Sequence, residues 1–583
     1  MNDTTTTAHA DCEIALTIDL AAPLSRSPLA VDACLAVERS LNGLLEQLGV
    51  PGRIAARIVS RDSTDKPGKL IGLRIGRTVC RYPEGLLLSA FGYVTGNPLV
   101  DHSSEALREW LNHAIATGQG EVNEWLVMSC VEIIKRQPSR LLTDEAIRIY
   151  LEKASRTTKC LPHEQRDLDF LRAVLRRVLD LRISLRDVAT LSEQLAAGTA
   201  KGMSADDLAE DLIAALRPPV LGILTRPEDL DQITREETDK GLFGILRAGL
   251  FYELGIEVPD LQFVSSDECK SGSFAFRINH VTTMSRHGLP ATKCLVDEKP
   301  AELQNKFGVI GEPLLNPARG NANTIIDARD RERLPPALQV WTPLGFVVLS
   351  LAAELREKAP CLIDLNFTRT QLGRTQQAFP ALTEACQTRY SLAQLTRLFR
   401  GLIAEGISIR DFRGILGATL DFDMLESELR YIVIDDRLPS TVAPSDKIRS
   451  DPASLVGFVR LQIKRVITHA HCPRENVLYA YQLDPQTESE ICEALERMVR
   501  SGVESDSITE WFGEDRHSHL VETLREALGD ASPLAAFYPI LTVVQIRPWL
   551  RQLLSDEYPR MPILAYQELT PASRIHRLAM VAP

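Results

Sequence analysis

The apolar pattern between Ser391 and Leu416 occurs twice in the chain, which is what copies of one folded unit would produce. Leu392, Leu395, Leu398, Phe399, Leu402 and Ile403 recur at spacings of three and four, which puts them on one face of a helix that has to be buried. Gly406 can take positive φ and end that helix. Ser408 then reads as the N-cap of a second helix, with Asp411 as its acidic partner three residues on and Ile409, Phe412, Ile415 and Leu416 as the next apolar face. Earlier in the chain Leu171, Val174, Leu175, Val178 and Leu179 form the same stripe, and Ser184 and Asp187 the same cap, 224 residues before. Arg182 stands where the second repeat has Gly406, so the first helix is expected to end less sharply.

Other blocks recur in the same order. Cys12 to Leu20 reads as a strand, Val31 to Leu48 as an amphipathic helix ended by Gly49, and Arg53 to Ser60 and Lys69 to Cys80 as two strands. From about Val220 the order returns, with a helix at Gly241 to Leu254, its stop at Gly255, and strands at Leu261 to Ser265 and Phe274 to Thr283. Leu126, Val127, Met128, Ser129 and Pro138 match Val348, Leu349, Ser350 and Pro360. The offset grows from 203 to 222, which predicts an added stretch in the second repeat between its sheet and its helices.

The expected fold class is therefore α+β multidomain: tandem copies of a small βαββ unit followed by a helical unit, plus a C-terminal α/β domain. That last domain is read from the strand Ile540 to Val544, the helix Arg547 to Ser555 and the strand Ile563 to Tyr566. The expected boundaries are 1–217 for a truncated, diverged first copy, with its α/β unit at 10–100 and its helical unit at 101–217. They continue with 218–300 for the second α/β unit, 301–345 for an inserted unit, 346–430 for the helical unit and 431–583 for linker, helices and C-terminal domain.

A chain of 583 residues is too long for one core. Its formal charge of −12 lacks the basic footprint of a general nucleic-acid binder. The eleven cysteines contain no CxxC pair and the start lacks a basic region before an apolar core, which predicts reduced thiols, no cleaved signal and a cytoplasmic protein. The longest uncharged run, Gly85 to Val100, is too short and too broken by Gly92, Gly96, Asn97 and Pro98 to cross a bilayer, so the chain is expected to be soluble.

Little in the chain points to catalysis. His469, His471 and Cys472 cluster tightly, but their spacing fits no common zinc pattern and reads better as a polar helix end before Pro473. Asp435, Asp436 and Arg437 read as a solvated loop rather than a carboxylate pair. Walker, Rossmann and GxSxG signatures are absent from the sequence. No catalytic residue, metal or cofactor is expected. Trp341 and Phe346, next to Val347, Val348 and Leu349, read as core.

The residues from Leu395 to Leu416, the helix Leu455 to Ile467, Leu483, Asp484, Pro485 and Glu488, and the ending Ile546, Arg547, Leu550, Arg551, Pro562 to Glu568 carry a resemblance. Together they resemble the cytosolic half of the export-gate protein of flagellar and virulence-associated type III secretion, the FHIPEP family. The resemblance covers about residues 220 to 583, with the diverged copy before it. It implies four small subdomains that form a ring beneath an export channel and receive chaperone–substrate complexes, a docking platform rather than an enzyme. Three departures stand out. The family's membrane helices are missing, so this chain is not expected to be the gate itself. The family's Asp-Pro-Ala-Phe-Gly, near its docking groove, stands here as Asn316, Pro317, Ala318, Arg319 and Gly320. Its Ala-Thr-His-Leu stands here as Val348 to Leu351.

The resemblance makes Asn316, Arg319 and Leu349 the candidate partner-binding groove. The implied partners are secretion components: the export apparatus, the sorting platform and chaperone–substrate complexes, met in the cytoplasm at the periphery of the inner-membrane apparatus. A rival reading is a self-assembling structural protein whose tandem units build a homo-oligomeric ring. A third is a degenerate paralogue without cargo binding.

Overall fold

The structure, a computed structural model, describes residues 12–21, 29–61, 70–76, 78–96, 104–118, 120–157, 165–216, 220–424, 452–472, 476–501, 508–528 and 538–581. The chain forms two compact units. One comprises Met1–Tyr82, Leu86–Arg226 and Leu261–His287; the other Pro83–Gly85, Pro227–Asp260 and Gly288–Pro583.

In the first unit β1 (Glu13–Ala21) lies between β2 (Arg53–Arg61), to which it is parallel, and β3 (Ile71–Ile75), to which it is antiparallel; β4 (Thr78–Cys80) folds back on β3. Parallel neighbours need a crossover, which the helix Leu29–Leu48 supplies. Alternation along β1 buries Ile14, Leu16, Ile18 and Leu20. The second repeat builds the same sheet from β5 (Leu221–Thr225), β6 (Leu261–Ser265), β7 (Ser273–Ile278) and β8 (Val281–Thr282), with the short β9 (Arg286–His287) also on β7. Strand order and direction match strand for strand. The sequence read 69–80 and 274–283 as single strands, but each is a hairpin. The turn residues Gly76 and Asn279 take φ of +57° and +54°, a left-handed step that reverses the chain.

The helices Gly85–Val94, Ser104–Thr117, Glu121–Arg136, Asp144–Thr157, Gln165–Asp180, Val188–Ala200 and Ala205–Ala215 follow the first sheet. The uncharged run at 85 opens as a short buried helix, on which the indole of Trp125 donates to the Leu87 carbonyl at 3.1 Å.

In the second unit the helices Pro227–Lys240 and Leu242–Leu254 precede an antiparallel sheet of β10 (Lys293–Val296), β11 (Glu312–Leu315), β12 (Ala322–Asp327) and β13 (Val340–Trp341). Cys294, Val296, Leu303, Val309 and Ile326 form its core. The helices Pro343–Lys358, Leu365–Ala378, Pro380–Arg389, Leu392–Ala404, Phe412–Met424 and Pro452–Gln462 come next. The stripe on 392–404 is buried apart from the half-buried Leu392 at its start, with Leu395, Leu398, Phe399 and Leu402 fully enclosed. The helix expected from Leu455 to Ile467 breaks at Ile463 into Pro452–Gln462 and Lys464–His471.

At the C-terminus β14 (Val477–Leu483) is flanked by β15 (Ile540–Thr542) and β17 (Arg574–Val581), and β16 (Ile563–Ala565) completes an all-parallel sheet. The helices Pro485–Ser501, Glu514–Leu528 and Arg547–Leu554 bury Ile491, Leu524 and Leu550 in its core. The sequence reading lacked β14 and β17. β17 is largely exposed and β14 is buried at positions that do not alternate cleanly, so neither shows the period of two that marks a half-buried strand.

The repeated turn departs from expectation in two respects. The helix after it starts later than the sequence suggests, at Val188 and Phe412. Asp187 therefore caps the first, accepting from the Thr190 amide at 3.1 Å, and Asp411 accepts from the Gly414 amide at 2.9 Å. Ser184 and Ser408 are not helix caps: each lies before the helix and accepts from the amide two residues on, Arg186 at 3.2 Å and Arg410 at 3.3 Å. Replacing Asp411 with alanine should cost about 0.5–2 kcal/mol, read as a lowered urea midpoint, and Ser408→Ala less.

The first helix also ends as sharply as the second. Arg182 takes φ +62°, close to the +71° of Gly406. In both, the next amide reaches back five residues, Ile183 to Val178 and Ile407 to Leu402.

Candidate functional site

The recurring motif is the receptor for a helix end. Leu48, the last residue of the helix 29–48, offers its carbonyl to the Leu185 amide at 2.7 Å, and Leu254, the last of 242–254, offers its own to Ile409 at 2.9 Å. Gly49 and Gly255 follow, at φ +71° and +79°. A methyl group on Gly49 would lie 2.6 Å from the Arg186 nitrogen, and one on Gly255 2.4 Å from that of Arg410. Ser184 donates to the Gln47 carbonyl and Arg186 to that of Glu46, while the Arg410 guanidinium stacks on Tyr252 at 4.8 Å. In the first motif the paired Ser and Arg thus hold one backbone against another, whereas in the second Arg410 packs on a side chain of the incoming helix.

The outer face of the two turns meets different partners. In the first unit it meets the β7–β8 hairpin. Asn279 Nδ2 donates to the Leu181 carbonyl at 2.7 Å, the His280 amide to that of Arg182 at 2.9 Å, and Gln47 Nε2 to the His280 carbonyl at 2.6 Å. These bonds hold Arg182 in its left-handed conformation. The Ser184 amide donates to His280 Nδ1 at 3.1 Å, which requires a neutral ring. Burial, and then the charge of Arg277, lower the proton affinity of His280 below the ordinary histidine value. The unfolded chain therefore binds the proton more readily. The contribution of this bond is whole above about pH 6.5 and declines as the pH falls below it. A His280→Gln variant should lose that part of the pH dependence, compared by urea unfolding across this range.

In the second unit Glu405, at the place of Leu181, enters a buried cluster. Arg460 Nη1 lies 2.8 Å from Glu405, and its Nε and Nη2 lie 2.6 and 2.7 Å from the two oxygens of Glu568. Arg547 donates to both Glu405 oxygens, at 2.7 and 3.3 Å, and sits 3.3 Å from Glu568. Arg551 donates to the carbonyls of Ala404, Tyr558, Pro559 and Met561. Glu568 also accepts from the Ala565 amide at 3.0 Å. Arg460, Arg547 and Glu568 are at most 1% exposed. Burial would raise the Glu405 carboxyl, but Arg460 and Arg547 outweigh it and hold the group below the usual carboxylate range. The cluster clamps the end of the 392–404 helix to the C-terminal sheet domain.

The sequence pointed to Glu405, Arg547, Arg551 and Glu568 only as parts of a family pattern, and their convergence was not legible. One signal was available: Arg460 interrupts the apolar run Leu455, Val456, Phe458 and Val459, as a buried, paired cation would.

The candidate groove residues do not gather. Asn316 is fully buried in the β11–β12 turn, where its Oδ1 accepts from the amides of Ala318 (2.9 Å) and Arg319 (3.2 Å). It cannot present itself to a partner, because an aspartate-like turn role consumes it. Arg319 is exposed and pairs with Asp297 at 3.0 Å, so it alone changes that surface. Leu349 is half-buried on a different element, the helix 343–358.

His471 is pushed down to about 4 by burial and then by Arg460, and Cys472 is buried at the helix end. Among the described residues no group of three or more His, Cys, Asp or Glu stands together as metal ligands, and no helix is long and apolar enough to cross a membrane. Asp435, Asp436 and Arg437 lie outside the described residues.

Comparison with known proteins covers the second unit in particular. The Low calcium response locus protein D of Yersinia pestis is 25% identical over 342 residues, 58% of this chain and 44% of that protein. The Flagellar biosynthesis protein FlhA of Salmonella typhimurium is 26% identical over 282 residues, 46% of this chain and 34% of that protein. The chain thus spans less than half the length of these relatives. The CdsV protein of Chlamydia pneumoniae shares the fold over 62% of this chain and 98% of its own, with a TM-score of 0.52 at 19% identity. A structure of CdsV with CdsO matches at a TM-score of 0.51 and 20% identity, over 63% of this chain and 98% of its own. The pattern described as the FHIPEP family matches residues 230–574, more than half of the sequence, and the chain belongs to that family of type III secretion and flagellar export-gate proteins.

Proposed function

We propose that the chain is a non-enzymatic component of a type III protein secretion system, a docking or assembly platform for other secretion proteins in the cytoplasm, peripheral to the inner-membrane apparatus. One observation carries this reading. The residues that match the family build a helical core locked to a C-terminal sheet domain by buried arginines and glutamates, which is the rigidity a scaffold needs and which spends its charged side chains on structure. The partners follow from the family: the export apparatus, the sorting platform and chaperone–substrate complexes. That a relative was solved together with CdsO accords with a role in binding other proteins. Arg319, in place of an aromatic side chain, argues for a partner with an acidic rather than an apolar contact at the β11–β12 turn.

Affinity purification of the crosslinked chain from cells with an active secretion system should recover secretion components. Arg319→Glu should lower recovery of whichever partner meets that turn. Recovery of no secretion component from such cells would overturn the reading.

A further inference from the structure

The C-terminal sheet has two unlike edges. On one, β16 is buried and the Ile563 carbonyl accepts from Arg460 Nη2 at 3.2 Å, so the arginine cluster closes it. On the other, β17 pairs with β14 alone among the described residues. Val581, at the end of β17, is buried in one core with Leu520 and Leu524 of the helix 514–528. Every residue from Arg574 to Leu578 is exposed, although the strands of all-parallel sheets are ordinarily covered.

One hydrogen bond fixes which backbone groups face the free edge. In a parallel ladder alternate residues bond the neighbouring strand, and those between them turn their amides and carbonyls away from it. The Arg574 amide donates to the Asn476 carbonyl at 2.8 Å, so Arg574 and His576 bond β14 while Ile575 and Arg577 face outward. Neither outward residue is hydrogen-bonded among the described residues. The register shifts beyond Ala480, which ends the regular ladder and keeps the free edge short.

The side chains along this edge select what fits it. Arg574 and Arg577 form no ion pair among the described residues, in a chain of net charge −12. Ile575 and Leu578 are 41% and 39% exposed, and Tyr479 of β14, 44% exposed, lies 4.9 Å from the His576 ring. Two arginines on an edge repel a second copy of the same strand. They favour a strand that sets carboxylates opposite them and apolar side chains between.

We propose that this edge takes up an extended, acidic segment of another protein as an added strand. The segment bonds the outward backbone of Ile575 and Arg577, sets its carboxylates on Arg574 and Arg577, and packs its apolar side chains on Ile575, Leu578 and Tyr479. Backbone bonds supply the affinity and the arginines supply the choice of partner. The proposal names a docking surface for the platform described above and rests on that reading.

The test uses the purified full chain and a fluorescent synthetic octapeptide of alternating glutamate and valine. No secretion component is present, so a failure here leaves the functional reading to the recovery of secretion components from cells. Anisotropy should show this peptide binding about tenfold more tightly than its lysine–valine counterpart, and Arg577→Glu should erase the preference. The acidic peptide N-methylated at every amide should not bind, because it keeps its charge but cannot pair as a strand. Ile575→Pro should abolish binding and keep the parent's urea midpoint, since the amide it removes points away from β14. Should that variant lose stability, Arg577→Glu and the methylated peptide decide the matter. No binding of the acidic peptide, equal binding of the acidic and basic peptides, or binding that survives N-methylation or a stable Ile575→Pro overturns the proposal. So does a chain whose own sedimentation, rather than its peptide binding, responds to Ile575→Pro, because the occupant is then a second copy.

Discussion

Gly255→Ala is expected to destabilise the second unit by roughly 2–5 kcal/mol, the sum of a left-handed backbone penalty and an unrelieved overlap. The overlap dominates. The added methyl would stand 2.4 Å from the Arg410 nitrogen and 2.8 Å from the Ile409 carbonyl carbon, and backbone on both sides leaves no flexible end to give way. The Leu254–Ile409 hydrogen bond would break with it. Gly406→Ala is the matched control, since Gly406 has a similar φ of +71° but nothing within 4 Å of its Cβ position. It should cost only about 1 kcal/mol. Chemical denaturation of the two variants separates conformational strain from steric exclusion. Equal losses would mean that the helix end does not seat on the turn.

Glu568→Gln should cost about 3–5 kcal/mol, because it leaves Arg460 and Arg547 enclosed with Glu405 as the one remaining carboxylate of the cluster. Burial of an unmatched cation, rather than loss of the pair's attraction, sets that figure. The double change Arg460→Met with Glu568→Leu should therefore be milder than Glu568→Gln alone. If the single variant costs less than about 1 kcal/mol, the cluster is wet and the clamp is not a clamp. The same pairings predict acid sensitivity. Glu405 is held below its unfolded value, so its contribution is complete above about pH 4.5 and is lost as the pH falls further. Glu405→Gln should remove that part of the acid transition, followed by intrinsic fluorescence.

How legible these features were depends on the range of the interaction behind them. The stripes on 165–180 and 392–404 could be read because a buried helix face repeats every three to four residues, and the small sheets because their strands and the crossover helix are local. Ser408 was misread as a cap because Ser and Asp are both competent N-caps, and only the seating of Leu254 on Ile409 delays the helix to Phe412. Arg182 was misread because a positive φ in arginine is unfavourable in isolation. It holds here because Asn279 and His280, about a hundred residues on, bond the carbonyls around it. Asn316 looked like a changed binding residue, whereas its burial makes it a turn residue in which amide and carboxylate serve alike.

By itself the sequence determined that this chain is a duplication, that each repeat is a small α/β unit followed by helices, and that its residues carry the pattern of an export-gate family. Periodicity, chain punctuation and residue identity are written along the chain, so they survive without coordinates. Tertiary structure alone decided what the recurring Ser391–Leu416 stretch is for. Its turn receives a helix end twice. On the outer face, one copy is closed by a hairpin from the other repeat; the other copy sends Glu405 into a buried arginine cluster, and its turn backbone meets no such hairpin among the described residues. Those assignments depend on which distant groups meet the same three backbone atoms, and no local pattern encodes that.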